Sequence, residues 1–180
     1  MKKLLFISLT LLPLFIFSQE NFTAKAFADY SGYQEKSLST RRFKHADIQP
    51  LIEGFKKEPG FVVKKLGTSI EGRSISMISL GTGKTAVLLW SQMHGDESTA
   101  TMAIFDLLNY FKTNKDLLTK INLHFIPMLN PDGAEQFNRR NAIGIDLNRD
   151  AVRLQSPESR ILKAARDSPP RTRPFTTRTR

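Results

Sequence analysis

The sequence predicts an α/β domain in which helices flank a mixed β-sheet. Polar and apolar residues alternate in 74–80, which is typical of a half-buried strand. Two apolar runs of strand length, 85–90 and 121–126, lie on either side of 97–111, whose apolar residues recur at helical spacing. Because a helix between consecutive strands usually connects parallel neighbours, we expect a sheet that is antiparallel on one side and parallel on the other.

The first elements of the domain should be a helix and a hairpin. Apolar residues repeat at helical spacing over 47–57, where Pro50 is tolerated if it lies in the first turn. The strand-like run 61–66 is separated from 74–80 by a turn that contains Glu71-Gly72. These two runs should therefore pair as an antiparallel hairpin.

The later elements have equally local signals. The run 85–90 is apolar on both faces, which favours a central strand of the sheet. A last helix should begin at Ser156, which is followed by Pro157 and Glu158, and should continue to Arg166. The composition then changes abruptly to Pro, Arg and Thr, with no helix or strand pattern.

The chain divides into four predicted parts. Residues 1–18 have a basic start, an apolar stretch and a small-then-polar exit, which is typical of a signal peptide. We therefore expect an exported protein, periplasmic or extracellular, with no membrane segment after cleavage. Residues 19–46 are polar and should form a solvated linker or a pro-segment, 47–167 the folded domain, and 168–180 a disordered basic tail.

Charge and cysteine content exclude two classes of function. The net charge is +10, but residues 151–180 carry eight Lys and Arg against two acids. Most of the basicity therefore belongs to the tail, which lacks the interleaved aromatic residues expected of a nucleic-acid binder. Because the chain has no cysteine, a thiol nucleophile, thiolate metal ligation and disulfides are all excluded.

The turn after strand 85–90 carries His94 and, three residues later, Glu97. A histidine that leaves a strand and a carboxylate at the start of the next helix can point to the same place, and both are zinc ligands. The helix dipole would also stabilise the Glu97 carboxylate. The alternative is a polar turn residue beside an ordinary acid, and spacing alone does not decide between the two.

A second group of polar residues follows strand 121–126. It contains Asn130-Pro-Asp-Gly133, the pair Arg139-Arg140 and the pair Asn148-Arg149. The planar fork of arginine suits bidentate binding of a carboxylate, asparagine adds a donor, and a separate arginine could stabilise a developing oxyanion. Taken alone, the group is equally compatible with a solvated basic loop.

Together these segments resemble the zinc metallocarboxypeptidases of the carboxypeptidase A type. The resemblance extends from about residue 61 to about residue 166 and implies a zinc-carboxypeptidase-like fold. It depends on five segments that occur in order: Glu71-Gly-Arg73, His94-Gly-Asp-Glu97, Asn130-Pro-Asp-Gly133, Arg139-Arg-Asn141 and Gly144-Ile-Asp-Leu-Asn-Arg-Asp150.

The resemblance implies roles for the polar residues. His94 and Glu97 would be two ligands of a catalytic zinc ion. Arg139 would polarise the scissile carbonyl, with Arg140 as the other possibility in the doublet. The pair Asn148-Arg149 would bind the C-terminal carboxylate of the substrate. The implied reaction is hydrolytic removal of a C-terminal residue from a peptide or a peptidoglycan-derived peptide, and we expect a monomer.

The sequence departs from this family after Arg149. The family also uses a downstream histidine as third zinc ligand, a glutamate as general base and usually a tyrosine over the substrate. Here no histidine or tyrosine follows Arg149, and the only later glutamate is Glu158, in a helix start. His45 and His124 lie upstream, and His124 should be a packed or edge histidine of a strand. The resemblance thus predicts a domain that is incomplete in its C-terminal half and inactive alone.

Two hypotheses follow from this departure. The tail at 168–180 is read out of frame in a truncated or frameshifted product, which translation of the other two frames after codon 167 would test. The alternative function is a non-catalytic module that binds peptide C-terminal carboxylates without zinc.

Overall fold

The computed structural model describes residues 23–168. Two compact units are present, one up to residue 34 and the other from residue 35. In the first unit, residues 23–28 and Tyr30–Tyr33 are helical. The second unit contains the predicted domain and all of the candidate site residues.

Some predictions fall outside the described residues. The signal peptide at 1–18 is one of them, and the tail is another except for residue 168. Within residues 23–168, no helix has the length and apolar character that crossing a membrane would require.

The second unit is built on one four-stranded mixed sheet. Its strands are β1 (Phe61–Thr68), β2 (Ser74–Leu80), β3 (Thr85–Trp90) and β4 (Ile121–Ile126), in the order β1-β2-β4-β3. The pairs β1/β2 and β2/β4 are antiparallel, and β3/β4 is parallel. The predicted hairpin and the predicted mixed sheet are both confirmed.

The prediction of β3 as a central strand is wrong for the described sheet. The chain leaves β3 through a helix and returns as β4 on the side that faces β2, so β4 takes the interior position and β3 lies at an edge. As a result Val87 and Trp90 on β3 are 36% and 43% exposed. Apolar character on both faces does not identify which neighbours a strand pairs with.

Among residues 35–168, five α-helices and one short 3₁₀-helix accompany the sheet. The α-helices are α1 (His45–Phe55), α2 (Thr99–Thr113), α3 (Pro131–Gln136), α4 (Leu147–Asp150) and α5 (Pro157–Asp167), and the 3₁₀-helix is Asp116–Thr119. Helix α2 is the predicted crossover between β3 and β4. Helix α5 begins as predicted, because the side chain of Ser156 accepts a hydrogen bond from the backbone N–H of Ser159.

Helix α1 differs from its prediction at Pro50. The helix starts two residues earlier than expected, so Pro50 lies in its interior and not in its first turn. Proline there removes one backbone hydrogen bond of the helix. The helix still forms because Ile48, Ile52 and Phe55 are buried against the sheet, and this packing outweighs the local penalty.

Apolar residues cover both faces of the sheet. Ile78 and Leu80 of β2 belong to a cluster with α1 and α2, whereas Ile75 and Met77 of the same strand belong to a cluster with α5. The two pairs differ in parity along the strand, and successive side chains point to opposite faces. The core therefore consists of two layers, with the sheet between them.

Part of the predicted linker at 19–46 is packed and not solvated. Leu38 and Phe43 are almost fully buried and belong to the apolar cluster on the α1 and α2 face. The polar composition around them concealed two core residues, because a single apolar side chain in an irregular segment has no period to reveal it.

Candidate functional site

The loop between β3 and α2 carries His94 and Glu97. His94 is buried, whereas the side chain of Glu97 is 61% exposed. The N–H of Glu97 donates a hydrogen bond to the carbonyl of His94, which closes the turn between them (3.1 Å). Helix α2 begins at Thr99 with Ser98 as its N-cap. Glu97 therefore precedes the helix, whereas the sequence predicted it at the start of the helix.

The side chains of His94 and Glu97 converge, which their spacing allowed but did not decide. Nδ1 of His94 lies 3.1 Å from Oε2 of Glu97, yet Nδ1 is buried and makes no hydrogen bond. Two zinc ligands at 2.0–2.2 Å from a tetrahedral ion lie about 3.3 Å from each other. A buried nitrogen without a hydrogen-bond partner beside a carboxylate at this separation fits two ligands of one metal ion.

Asp146 holds the other side of the His94 ring. Its Oδ1 lies 3.1 Å from Nε2 of His94, and it also accepts a hydrogen bond from the backbone N–H of Asn148 as the N-cap of α4. Desolvation raises the pKa of Asp146, but the hydrogen bonds from His94, Arg139 and Asn148 outweigh it and keep the pKa below its ordinary value. Asp146 is therefore a carboxylate that orients the ring.

The sequence did not identify Asp146 as a site residue. Its local signal was an aspartate directly before a short helix, which indicates only an N-cap. Its contact with His94 joins residues that are 52 positions apart, and no periodicity in the sequence reports such a contact.

Of the arginine doublet, only Arg139 faces this cluster. Its Nε donates to Oδ2 of Asp146 (3.1 Å), and its guanidinium lies 3.4 Å from Oε1 of Glu97. The guanidinium of Arg140 instead donates to the carbonyl of Gly144 (2.8 Å), within its own loop. The geometry thus distinguishes the two arginines, because Arg139 contacts the cluster and Arg140 contacts its own loop.

Asn148 and Arg149 are exposed on the short helix α4, next to Asp146. Among the described residues, neither side chain makes an ion pair or hydrogen bond. Both groups are thus available to a ligand. Asn148 also borders a cavity of about 160 Å³ whose apolar lining includes Trp90, Met93, Leu129, Leu147 and Leu162.

The turn that begins at Asn130 holds the loops of the site together. Asn130 is fully buried, and its side-chain oxygen accepts a hydrogen bond from the N–H of Gly133 (2.9 Å). Its amide lies within hydrogen-bond distance of the carbonyls of Met93 and Arg139. Asn130 therefore connects the loop that carries His94 to the segment that carries Arg139.

Two further motif residues, Arg73 and Asp132, have a structural role. The carboxylate of Asp132 is buried and accepts hydrogen bonds from Arg73 (2.7 Å), from the hydroxyl of Ser69 (2.7 Å) and from the N–H of Glu71 (3.0 Å). The β1–β2 turn is fixed to the start of α3 by these hydrogen bonds and by the partly buried ion pair between Arg73 and Asp132.

The other histidines of the described chain are engaged elsewhere. His124 is fully buried in β4 and its Nδ1 lies 2.8 Å from the hydroxyl of Ser79, as expected for a packed strand histidine. His45 lies on α1, with Nε2 2.9 Å from the carbonyl of Ser74. Within residues 23–168, no group of three or more His, Asp or Glu residues is arranged to hold a metal ion.

The chain matches known proteins over this region. The family model for zinc carboxypeptidases, Peptidase_M14, matches residues 49–173. Carboxypeptidase 2 of Trichophyton rubrum is 31% identical over 114 residues, which are 61% of this chain and 21% of the fungal protein.

Solved structures of similar proteins agree with the sequence match. A metallo-carboxypeptidase from Burkholderia cenocepacia has a TM-score of 0.62 and 26% identity, over 68% of this chain and 37% of that chain. A metallo-carboxypeptidase from Pseudomonas aeruginosa, in complex with (2-guanidinoethylmercapto)succinic acid, has a TM-score of 0.56 and 27% identity, over 69% of this chain and 36% of that one. The predicted fold class is thereby confirmed. This chain spans between one fifth and just over one third of the length of these relatives.

Proposed function

Since the chain belongs to the zinc carboxypeptidase family, we propose that it carries the N-terminal part of a zinc-dependent site that hydrolyses C-terminal peptide bonds. The observation that carries this proposal is the convergence of His94 Nδ1 and Glu97 Oε2, 3.1 Å apart with Nδ1 free of hydrogen bonds. These two atoms would be two of the metal ligands. Zinc is typical of the family, and the chemistry that a bound ion supplies is activation of water and polarisation of a carbonyl.

The residues around the two ligands have separate roles in this proposal. Asp146 holds the Nε2 side of the His94 ring, so that the Nδ1 side faces the metal. Arg139 lies beside both Glu97 and Asp146, where its positive charge could stabilise an oxyanion that develops on the substrate carbonyl.

Asn148 and Arg149 are proposed to bind the C-terminal carboxylate of a peptide. A guanidinium binds a carboxylate with two parallel hydrogen bonds, and Arg149 has no ion pair with any described residue. The ligand of the Pseudomonas relative is a substituted succinic acid and thus a dicarboxylic acid, which is consistent with carboxylate recognition in the family. A peptidoglycan-derived substrate, export and a monomeric state stay predictions from the sequence.

A second candidate function is carboxylate binding without catalysis. It is favoured by the exposed Asn148-Arg149 pair, and by the finding that within residues 23–168 no group of three or more His, Asp or Glu residues is arranged to hold a metal ion. In both cases we expect no measurable peptidase activity from the 180-residue chain. Chelator-sensitive release of a C-terminal amino acid by the purified chain would contradict that expectation.

Calorimetric titration distinguishes the two candidates. A peptide with a free C-terminus and its amidated form are titrated into the chain, with and without zinc. The first function predicts zinc binding that is lost in His94→Gln and Glu97→Gln but kept in His45→Gln. The second predicts that the free-carboxylate peptide binds equally well without zinc.

The carboxylate site is tested with one pair of variants. Arg149→Gln should abolish the preference for the free C-terminus, because the bidentate partner is lost. Arg153→Gln removes the same charge from a nearby exposed position and should keep the preference. Equal loss in both variants would indicate general electrostatic attraction and would contradict a specific site.

A further inference from the structure

Gln92 has an unusual backbone conformation two residues before His94. Its φ is +48°, in the left-handed region that is unfavourable for residues with a Cβ atom. It is also almost fully buried. Strain of this kind persists where the surrounding contacts determine the conformation, and it is frequent at functional sites.

Three hydrogen bonds hold Gln92 in place. Its side-chain amide donates to the carbonyl of Gly95 (2.9 Å), and its side-chain oxygen accepts from the hydroxyl of Thr101 (2.9 Å). Its backbone carbonyl accepts from the N–H of Asn130 (3.0 Å). One residue thus connects the loop that carries His94, the first turns of α2 and the turn that starts α3.

Thr101 holds the side chain of Gln92 rigidly. It is fully buried in α2, and its hydroxyl also lies 2.8 Å from the carbonyl of Pro127 and 2.9 Å from the hydroxyl of Ser91. The oxygen of the Gln92 side chain is therefore held by a group that is itself fixed between the end of β3 and the end of β4.

We propose that Gln92 is a positioning residue for the metal site. The side chain stabilises the left-handed turn and fixes the carbonyl of Gly95 within the loop that carries His94 and Glu97. This geometry holds His94 Nδ1 and Glu97 Oε2 facing each other before any metal arrives. The inference rests on the proposed zinc function for its consequence, but the ordering of the loop stands on this chain alone.

The variant Gln92→Gly separates the side chain from the backbone. Glycine adopts a positive φ without strain, so this change removes the side-chain hydrogen bonds and leaves the turn permitted. The matched control is Leu154→Gly, which replaces another residue with a left-handed φ (+54°) in the loop between α4 and α5. Thr101→Val removes one of the two side-chain partners of Gln92 and should have a smaller effect in the same direction.

Amide hydrogen exchange of the metal-free chains tests the ordering. We expect exchange at residues 93–97 to accelerate by about tenfold or more in Gln92→Gly, and to be unchanged there in Leu154→Gly. Unchanged exchange at 93–97 in Gln92→Gly overturns the inference, whatever the metal does.

Titration with Co²⁺, followed by its visible absorption, tests the consequence for the metal. The apparent dissociation constant should rise by about tenfold or more in Gln92→Gly and stay within about twofold in Leu154→Gly. Equal affinity in the unaltered chain and Gln92→Gly overturns the positioning role. If the unaltered chain binds no Co²⁺, the zinc proposal fails, and the exchange measurement alone decides whether Gln92 orders the loop.

Discussion

In this structure Oδ1 of Asp146 lies 3.1 Å from Nε2 of His94, so the carboxylate engages one ring nitrogen and leaves the other for Glu97. A carboxylate that accepts from Nε2 favours the tautomer with its proton on that nitrogen, and the lone pair then lies on Nδ1. Asp146 also caps α4 and binds Arg139. One side chain therefore determines the orientation of the histidine, the start of the helix that bears Asn148 and Arg149, and the position of the site arginine.

Asp146→Asn should lower zinc affinity by about 10–100-fold, because the ring loses the partner that fixes its tautomer and orientation. The measurement is competition with a chromophoric chelator at neutral pH. The control is Asp47→Asn, which removes another carboxylate that accepts from a backbone N–H at a helix start, that of Lys44, in α1. Equal losses in the two variants would mean that the effect comes from helix capping and not from His94.

Asp150→Asn should destabilise the chain at neutral pH and lose its effect in acid. Burial raises the pKa of Asp150, but hydrogen bonds from the backbones of Ser156 and Gln155 and from two serine hydroxyls outweigh it and lower the pKa to about 2. Because the folded pKa is below the unfolded value of 3.8, the charged carboxylate stabilises the fold above about pH 4, and this contribution disappears as pH falls through 2.

Urea unfolding at pH 7, 4 and 2.5 measures this contribution. We expect Asp150→Asn to lower the free energy of unfolding by about 1–2 kcal/mol at pH 7. The gap between the variant and the unaltered chain should narrow toward pH 2.5. Asp167→Asn, at the exposed end of α5, serves as the control and should leave the stability nearly unchanged. A gap that stays constant across the three pH values would show that the carboxylate charge is not responsible.

His124 should make the fold sensitive to mild acid. Burial lowers the pKa of His124, and its Nε2 has no hydrogen-bond partner. Because the folded pKa is below the unfolded value of 6.5, the unfolded chain binds more protons, and stability falls as pH decreases below about 6.5. The double variant His124→Leu/Ser79→Ala removes both the imidazole and the hydroxyl that pairs with it.

The quantity to compare is the slope of the free energy of unfolding against pH between pH 7 and pH 5. It should be clearly smaller in the double variant than in the unaltered chain, whatever their absolute stabilities. His45→Gln replaces a histidine that is only half-buried and should keep the slope of the unaltered chain. An unchanged slope in the double variant would exclude His124 as the source of acid sensitivity.

Local sequence patterns predicted which helices and strands form better than they predicted which strands lie next to each other in the sheet. The alternation in 74–80 and the helical period around Ile104 and Leu108 are properties of adjacent residues, and both elements formed as expected. The edge position of β3 depends on which strand pairs with β4, and that is decided by the packing of the whole sheet. Pro50 shows the same limit, because burial of its helix outweighs a local penalty.

The residues of the candidate site also differ in whether adjacent sequence or distant contacts determine their role. His94 and Glu97 are three residues apart after a strand, so their spacing indicated that the two side chains could converge, although it did not exclude an ordinary polar turn. Asp146 and Gln92 could not, since the first contacts His94 only after a distant loop folds back and the second acts through a backbone conformation. Sequence patterns thus indicated the two proposed ligands and missed the residues that we propose orient them.

Gly95→Ala should disrupt the contact between the two loops that hold the site. A Cβ atom on Gly95 would lie 2.0 Å from the backbone carbon of Gly133, and backbone cannot give way as a flexible side chain can. We expect a loss of about 1–3 kcal/mol in urea unfolding, together with weaker zinc binding, because His94 is adjacent to the displaced residue. Gly54→Ala is the control, since nothing lies within 4 Å of its added Cβ and alanine should stabilise helix α1 by about 0.5–1 kcal/mol. If Gly95→Ala were as stable as the unaltered chain, the two loops would not be in the close contact that the structure places between His94 and the Asn130 turn.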